Sequence, residues 1–172
     1  MVEYILKGHT GSVSAVAWSR DNRRIVTGSH DTTARLWDAH TYQEISVFRG
    51  HTTPVHDVAF DGSGAYIASR AVGVVLLWDA STQREFAVLG KGNSSAVAFD
   101  VSGKQIALGS TKYVHLLDAH THQELAVFYG HTKKVRVISF DVTGRRIASG
   151  SMDETARIWD VHTHQELAVL RG

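Results

Sequence analysis

Residues 8–50 read GHTGSVSAVAWSRDNRRIVTGSHDTTARLWDAHTYQEISVFRG, and the alternation within this stretch decides the fold. In VSAVAW, RRIVTGS and TARLWD the pattern has period two, which belongs to strands and not to helices. The segment DAHTYQE then forms a turn into a fourth short run, ISVF. The stretch predicts four strands, here a, b, c and d, joined by tight turns into a meander.

The same pattern returns along the whole chain. A glycine closing an apolar strand recurs at Gly8, Gly50, Gly90, Gly130 and Gly172, every 40 to 42 residues. An aspartate keeps step at Asp38, Asp79, Asp118 and Asp160, preceded by Trp37, Trp78, Leu117 and Trp159. Between strands a and b stand DGSG (61–64), DVSG (100–103) and DVTG (141–144), four-residue turns whose last position is predicted to be left-handed. Asn22 occupies that position in the first unit, and asparagine is among the non-glycine residues that best tolerate it. Each unit makes a sheet with apolar residues on both faces, which cannot bury itself. Stacking such sheets radially gives a propeller. The expected organisation is one domain over 1–172, with units at approximately 1–38, 39–79, 80–118 and 119–160 and a final d strand in 161–172.

Composition sets limits on function. The 172 residues are 43% hydrophobic and 20% charged, within the range of globular domains. A net charge of +1 leaves no polyelectrolyte footprint, so no nucleic-acid partner is expected. The absence of cysteine excludes disulfides, thiolate nucleophiles and Cys-based metal sites. No run of 18 apolar residues occurs, and MVEYILKG lacks the features of a signal peptide, so the reading is cytoplasmic with no membrane partner.

The paired residues Gly8-His9, Gly50-His51 and Gly130-His131, with Trp37-Asp38, Trp78-Asp79 and Trp159-Asp160, resemble the units of the WD-repeat β-propeller family. The resemblance implies an all-β propeller of four-stranded antiparallel blades, four per chain. It also implies a structural tetrad in each blade: His of the GH, Ser or Thr on strand b, Asp in the b–c turn and Trp on strand c. In unit one these are His9, Asp31 and Trp37 with Thr27 or Ser29; in unit four, His131, Asp153 and Trp159 with Ser149 or Ser151. Unit two keeps His51, Ser69 and Trp78 but has a b–c segment one residue shorter, without the aspartate. Unit three has Lys91 for histidine and Leu117 for tryptophan, and also lacks the aspartate.

Four units are half of an eight-bladed ring. Counting d-type strands at both ends, Tyr4–Lys7 and Leu167–Leu170, seventeen strands are expected. An open half ring leaves an apolar sheet face bare at each end, and no polar cap is visible in the sequence. The expectation is a homodimer in which unit four of each chain meets unit one of the other, closing eight blades. The alternative is a piece of a longer propeller.

No catalytic, cofactor or metal residues are expected. Histidines cluster in the c–d turns as His120-Thr-His122 and His162-Thr-His164, with His40 in unit one, but two imidazoles without a third ligand make a weak site. The tetrads bring serine, histidine and aspartate together, yet they recur where a catalytic site would occur once. Asn93-Ser-Ser95 fits a glycosylation acceptor that is incidental without a secretory signal. The resemblance points instead to the channel rim, where strand d leads into strand a. There Ser12, Ser14, Pro54, His56, Lys134 and Arg136 are the candidate partner-binding residues, and Lys133, Lys134 and Arg136 form a small basic cluster suited to an acidic peptide. The function expected is a non-catalytic scaffold that binds proteins or peptides at this rim. A self-assembling half-propeller with no other partner, or a propeller enzyme with a channel site, are the competing readings.

Overall fold

A computed structural model of the chain describes residues 5–90 and 94–172. Every helix or strand among them is a β-strand, and the strands form four antiparallel four-stranded sheets in simple meander order. Blade one holds β1 (Val13–Trp18), β2 (Arg24–Ser29), β3 (Thr33–Asp38) and β4 (Glu44–Arg49). Blade two holds β5 (Asp57–Phe60), β6 (Tyr66–Ala71), β7 (Val74–Asp79) and β8 (Glu85–Leu89). Blade three holds β9 (Ala96–Phe99), β10 (Gln105–Gly109), β11 (Tyr113–Asp118) and β12 (Glu124–Tyr129). Blade four holds β13 (Val135–Phe140), β14 (Arg146–Ser151), β15 (Thr155–Asp160) and β16 (Glu166–Arg171).

The described residues contain sixteen strands where the sequence suggests seventeen. Tyr4 of the expected first strand lies outside them, as do Lys91 and Asn93, while Ile5–Lys7 are irregular. Within the chain the c strands that this first strand could join are paired on both sides, β3 with β2 and β4 and β15 with β14 and β16. At the other end β16 completes blade four against β15.

The a–b turns take the left-handed conformation at their last residue, with φ of 58° at Asn22, 73° at Gly64, 69° at Gly103 and 70° at Gly144. The side chain that opens each turn holds it shut. Asp61 Oδ1 accepts the Tyr66 N–H at 2.9 Å and Asp100 Oδ1 accepts that of Gln105 at 2.8 Å. Ser19 Oγ does the same for Arg24 at 2.9 Å.

Three apolar layers join the blades in sequence order. Val26, Leu36 and Phe48 of blade one meet Val55, Val58 and Trp78 of blade two. Leu77 and Leu89 of blade two meet Val97, Ile106 and Leu117 of blade three. Leu116 and Phe128 of blade three meet Val135, Ile138 and Trp159 of blade four. Consecutive blades come closest along their first strands, β1 to β5, β5 to β9 and β9 to β13, so the sheets fan out from that line.

Glycine lets two of these joints close. A Cβ at Gly28 would lie 2.7 Å from Val55 and 3.0 Å from Val58, and one at Gly109 would lie 3.0 Å from Val135 and 3.2 Å from Ile138. Backbone bonds reinforce the same seams, Val55 N–H to Ser29 O and Val135 N–H to Ser110 O, both at 3.0 Å. The outer faces of blades one and four have no such neighbour. Val13 is 55% exposed where its equivalent Val135 is 0%, and Leu170 is 56% exposed where its equivalent Phe48 is 1%.

Candidate functional site

In blades one and four a polar chain runs through the sheet. His9 Nδ1 lies 2.8 Å from Asp31 Oδ2 and His9 Nε2 lies 2.7 Å from Thr27 Oγ1, which also accepts the Trp37 indole N–H at 2.9 Å. Blade four repeats this with His131 to Asp153 at 2.9 Å, His131 to Ser149 at 2.8 Å and Trp159 to Ser149 at 2.8 Å. The carboxylate fixes the tautomer: Nδ1–H donates to it, leaving Nε2 to accept the hydroxyl proton. Thr27 and Ser149 are the hydroxyls in these chains. Ser29 and Ser151 instead tie the strand ends to the loop before strand a, donating to Gly11 O and Lys133 O and accepting the N–H of Asp31 and Asp153.

Burial pushes the Asp31 carboxyl up, but the Thr33 hydroxyl, the Thr10 N–H and His9 outweigh it and hold the group well below the usual carboxylate range. Asp153 is held low in the same way, burial being outweighed by Thr155, the Thr132 N–H and His131.

Blade two keeps three members. His51 Nε2 reaches Ser69 Oγ at 2.8 Å and Trp78 donates to the same oxygen at 2.7 Å, but His51 Nδ1 is buried without a partner. The turn between β6 and β7 is only Val72-Gly73, with no carboxylate to meet it. In blade three, His115 takes up polar contacts of its own, with Glu124 at 2.7 Å and Ser110 at 3.3 Å.

At the end of the stack where strands a begin and strands b end, a cleft of about 510 Å³ opens between blades. Four of the six rim residues suggested by sequence line it: Ser14, His56, Lys134 and Arg136. Ser12 and Pro54 lie outside the lining. Ser12 O accepts the His30 N–H at 2.9 Å, and His30 packs edge-on against His56, ring centroids 5.5 Å apart. Sequence reasoning missed Arg70, which lines the cleft with Ser94 and Ser95. The signal was present: unit two reads IASRA where unit four reads IASGS.

The pattern of the WD40 family, described as WD domain, G-beta repeat, matches residues 2–38, 42–79 and 122–160, more than half of the chain. The chain belongs to the WD40 repeat family. Among its relatives are the beta subunit of a guanine nucleotide-binding protein of Zea mays, 29% identical over 92% of this chain and 34% of that protein, and the B-type cell cycle switch protein ccs52A of Medicago truncatula, 28% identical over 90% and 34%. A subunit of chromatin assembly factor 1 from Mus musculus is 35% identical over 41% of this chain and 12% of its own. The solved structure of U3-55K superposes with a TM-score of 0.88 at 20% identity, covering 98% of this chain and 54% of that one, and shows the propeller fold. This chain spans about a third of the length of the first curated relatives it matches.

The third unit, which the family pattern skips, nonetheless forms a four-stranded antiparallel blade like the others. The serine, histidine and aspartate of blade four imitate a hydrolytic triad, but Ser149 is 2% exposed and already bonded to indole, so no substrate reaches it. The c–d turns use their histidines differently. The backbone N–H groups of His40, His120 and His162 cap Asp38, Asp118 and Asp160 at 2.9 Å. The rings of His122 and His164 lean on Phe86 and Phe128. Among the described residues no three His, Asp or Glu side chains gather as metal ligands. No described helix is long and apolar enough to cross a membrane.

Proposed function

We propose that this chain is a non-catalytic scaffold that docks partner proteins or peptides on the rim where strands a begin. The carrying observation is that near-identical backbone positions of blades one, two and four present different side chains there, Ser14, His56 and Arg136, around one cleft. A rigid stack with variable positions at one end holds recognition and leaves the core untouched. The relatives support the reading, since two of them are by name subunits of larger assemblies. Cross-linking from a photoreactive group at Ser12 or Pro54, followed by mass spectrometry, tests it. Partner peptides cross-linked at these positions and lost in a Ser14, His56, Arg136 triple alanine variant support docking; cross-links unaffected by that variant overturn it.

A second proposal concerns closure: two chains meet head to tail as an eight-bladed ring. Blade four offers Gly150, whose Cβ position meets only Val137 of its own blade, where Gly28 and Gly109 meet valines of the next blade. Blade one offers the matching residues, Val13 and Val16, both exposed. The seam used twice within the chain is thus available between copies. Further repeats of a longer polypeptide would cover the same faces, the alternative favoured by the share of the relatives that this chain spans.

A further inference from the structure

The joint between blades two and three breaks the rule of its neighbours through two coupled exchanges. Arg70 pairs across β5–β6 with Asp57 at the place where Gly28 pairs with Ala15, Gly109 with Ala96 and Gly150 with Val137. In the other joints that glycine receives the first valine of the next blade, Val55 or Val135. In blade three the residue at the position of those valines is Ser94, which lines the cleft together with Arg70. A large cationic side chain has replaced a glycine and a small polar one has replaced a valine, so an apolar contact has become a polar opening.

The opening holds more positive charge than the chain balances. Arg70, Lys134 and Arg136 all line it. The Arg70 side chain is only 13% exposed, and its Nε has no hydrogen-bond partner. Asp57 forms a long ion pair with it, Oδ2 standing 3.9 Å from that nitrogen and beyond hydrogen-bond range, while the same oxygen accepts the Val97 N–H at 3.3 Å. Burial lowers the Arg70 guanidinium below its ordinary value, with Arg136 adding repulsion against the pull of Asp57. A desolvated guanidinium with a vacant donor is costly alone and is stabilised by an oxyanion, which it grips through charge-assisted bonds. Burial and these same cations favour the neutral form of His56.

We infer that the cleft at this end of the joint between blades two and three, which blades one and four also line, is an oxyanion site, in which Arg70, Lys134 and Arg136 hold a carboxylate or phosphoryl group carried by a partner peptide. This deepens the rim-docking proposal and rests on it. Carboxylate and phosphoryl share the acceptor geometry that a guanidinium fits.

Fluorescence anisotropy with labelled hexaglutamate, a phosphoserine hexapeptide and hexaglutamine provides the test. One or both anionic peptides bind and hexaglutamine does not; whichever anion binds more tightly identifies the source. Arg136→Gln, at an exposed position, weakens binding about threefold or more. The double exchange Arg70→Gly with Ser94→Val restores the seam of the other joints, keeps the thermal transition and weakens binding about tenfold or more. Equal binding of hexaglutamine, failure of both anionic peptides to bind, or unchanged affinity in the folded double variant overturns the inference. The rim proposal fails separately, through the cross-linking result, since that readout does not depend on an anionic probe.

Discussion

His51 Nε2 lies 2.8 Å from Ser69 Oγ, while the other nitrogen of the same ring is buried without a hydrogen-bond partner among the described residues. The equivalent nitrogen of His131 sits 2.9 Å from Asp153. The difference is one residue of turn length. Replacing Ala71-Val72-Gly73 with the four residues Ser151–Glu154 of blade four is expected to supply the missing acceptor and to stabilise the chain by about 1–3 kcal/mol. Burial lowers the His51 imidazole from 6.5, so its neutral form is favoured in the fold. That contribution is complete above pH 6.5 and declines as pH falls through the lower folded value. Urea titrations at pH 7.5 and 5.5 should show a drop in the parent that is smaller after the graft; an equal drop in both would count against this account of His51.

The carboxylates of blades one and four carry the opposite charge and a different window. Asp31 and Asp153 lie well below their ordinary 3.8 in the folded chain. Their contribution is therefore present above pH 3.8 and lost as pH falls below it. Asp153→Asn is expected to cost about 1–3 kcal/mol at neutral pH by leaving His131 Nδ1 poorly matched. It should also flatten part of the acid-induced loss. Circular dichroism melts between pH 7 and pH 2.5 check both, and a variant as acid-sensitive as the parent would contradict the assignment.

Much of this was legible in the residues. The recurrence of a strand-closing glycine and of an aspartate every 39 to 42 residues carried the blade count, and Asn22 in place of glycine marked its turn because few other side chains accept that backbone. The choice between Thr27 and Ser29 was not legible. Both lie on one strand two residues apart, so both face the same side, and only the position of the His9 ring selects between them. Arg70 escaped notice because its meaning depends on Ser94, 24 residues away in the chain and joined to it only by the stacking of two blades. Pair exchanges across a seam are invisible to a reading made within one unit.

Thr32 sits at φ 70°, in the left-handed region that a β-branched side chain accepts poorly, and its equivalent Glu154 sits at 66°. The turn imposes this conformation so that Asp31 can reach both His9 and the Thr33 hydroxyl. Thr32→Gly is expected to stabilise by about 1 kcal/mol, the relief of strain exceeding the added freedom of the unfolded chain. Asn22→Ala, at φ 58°, should destabilise by about the same amount. Chemical denaturation of the two variants decides the matter, and opposite signs from those stated would mean the backbone relaxes elsewhere.

Closure into an eight-bladed ring makes the sharpest claim about the ends. Val13 and Val16 on blade one and Ala148, Gly150 and Leu170 on blade four occupy the positions that form the seams between blades one and two and between blades three and four, yet here they face solvent or lie at its edge. If two copies close, each seam gains the bond that Val55 N–H makes to Ser29 O, now from Val13 N–H to Ser151 O of the other chain. Sedimentation equilibrium at micromolar concentration should then give twice 18.9 kDa. Val16→Glu places a charge against that seam and should halve the mass, with little change in the far-ultraviolet spectrum because Val16 supports no seam inside its own chain. A parent mass of one chain would refute the ring and leave a continuing polypeptide to cover these faces. A Val16→Glu protein that keeps the double mass would move the contact elsewhere, since no seam built like that between blades one and two tolerates a carboxylate against Gly150.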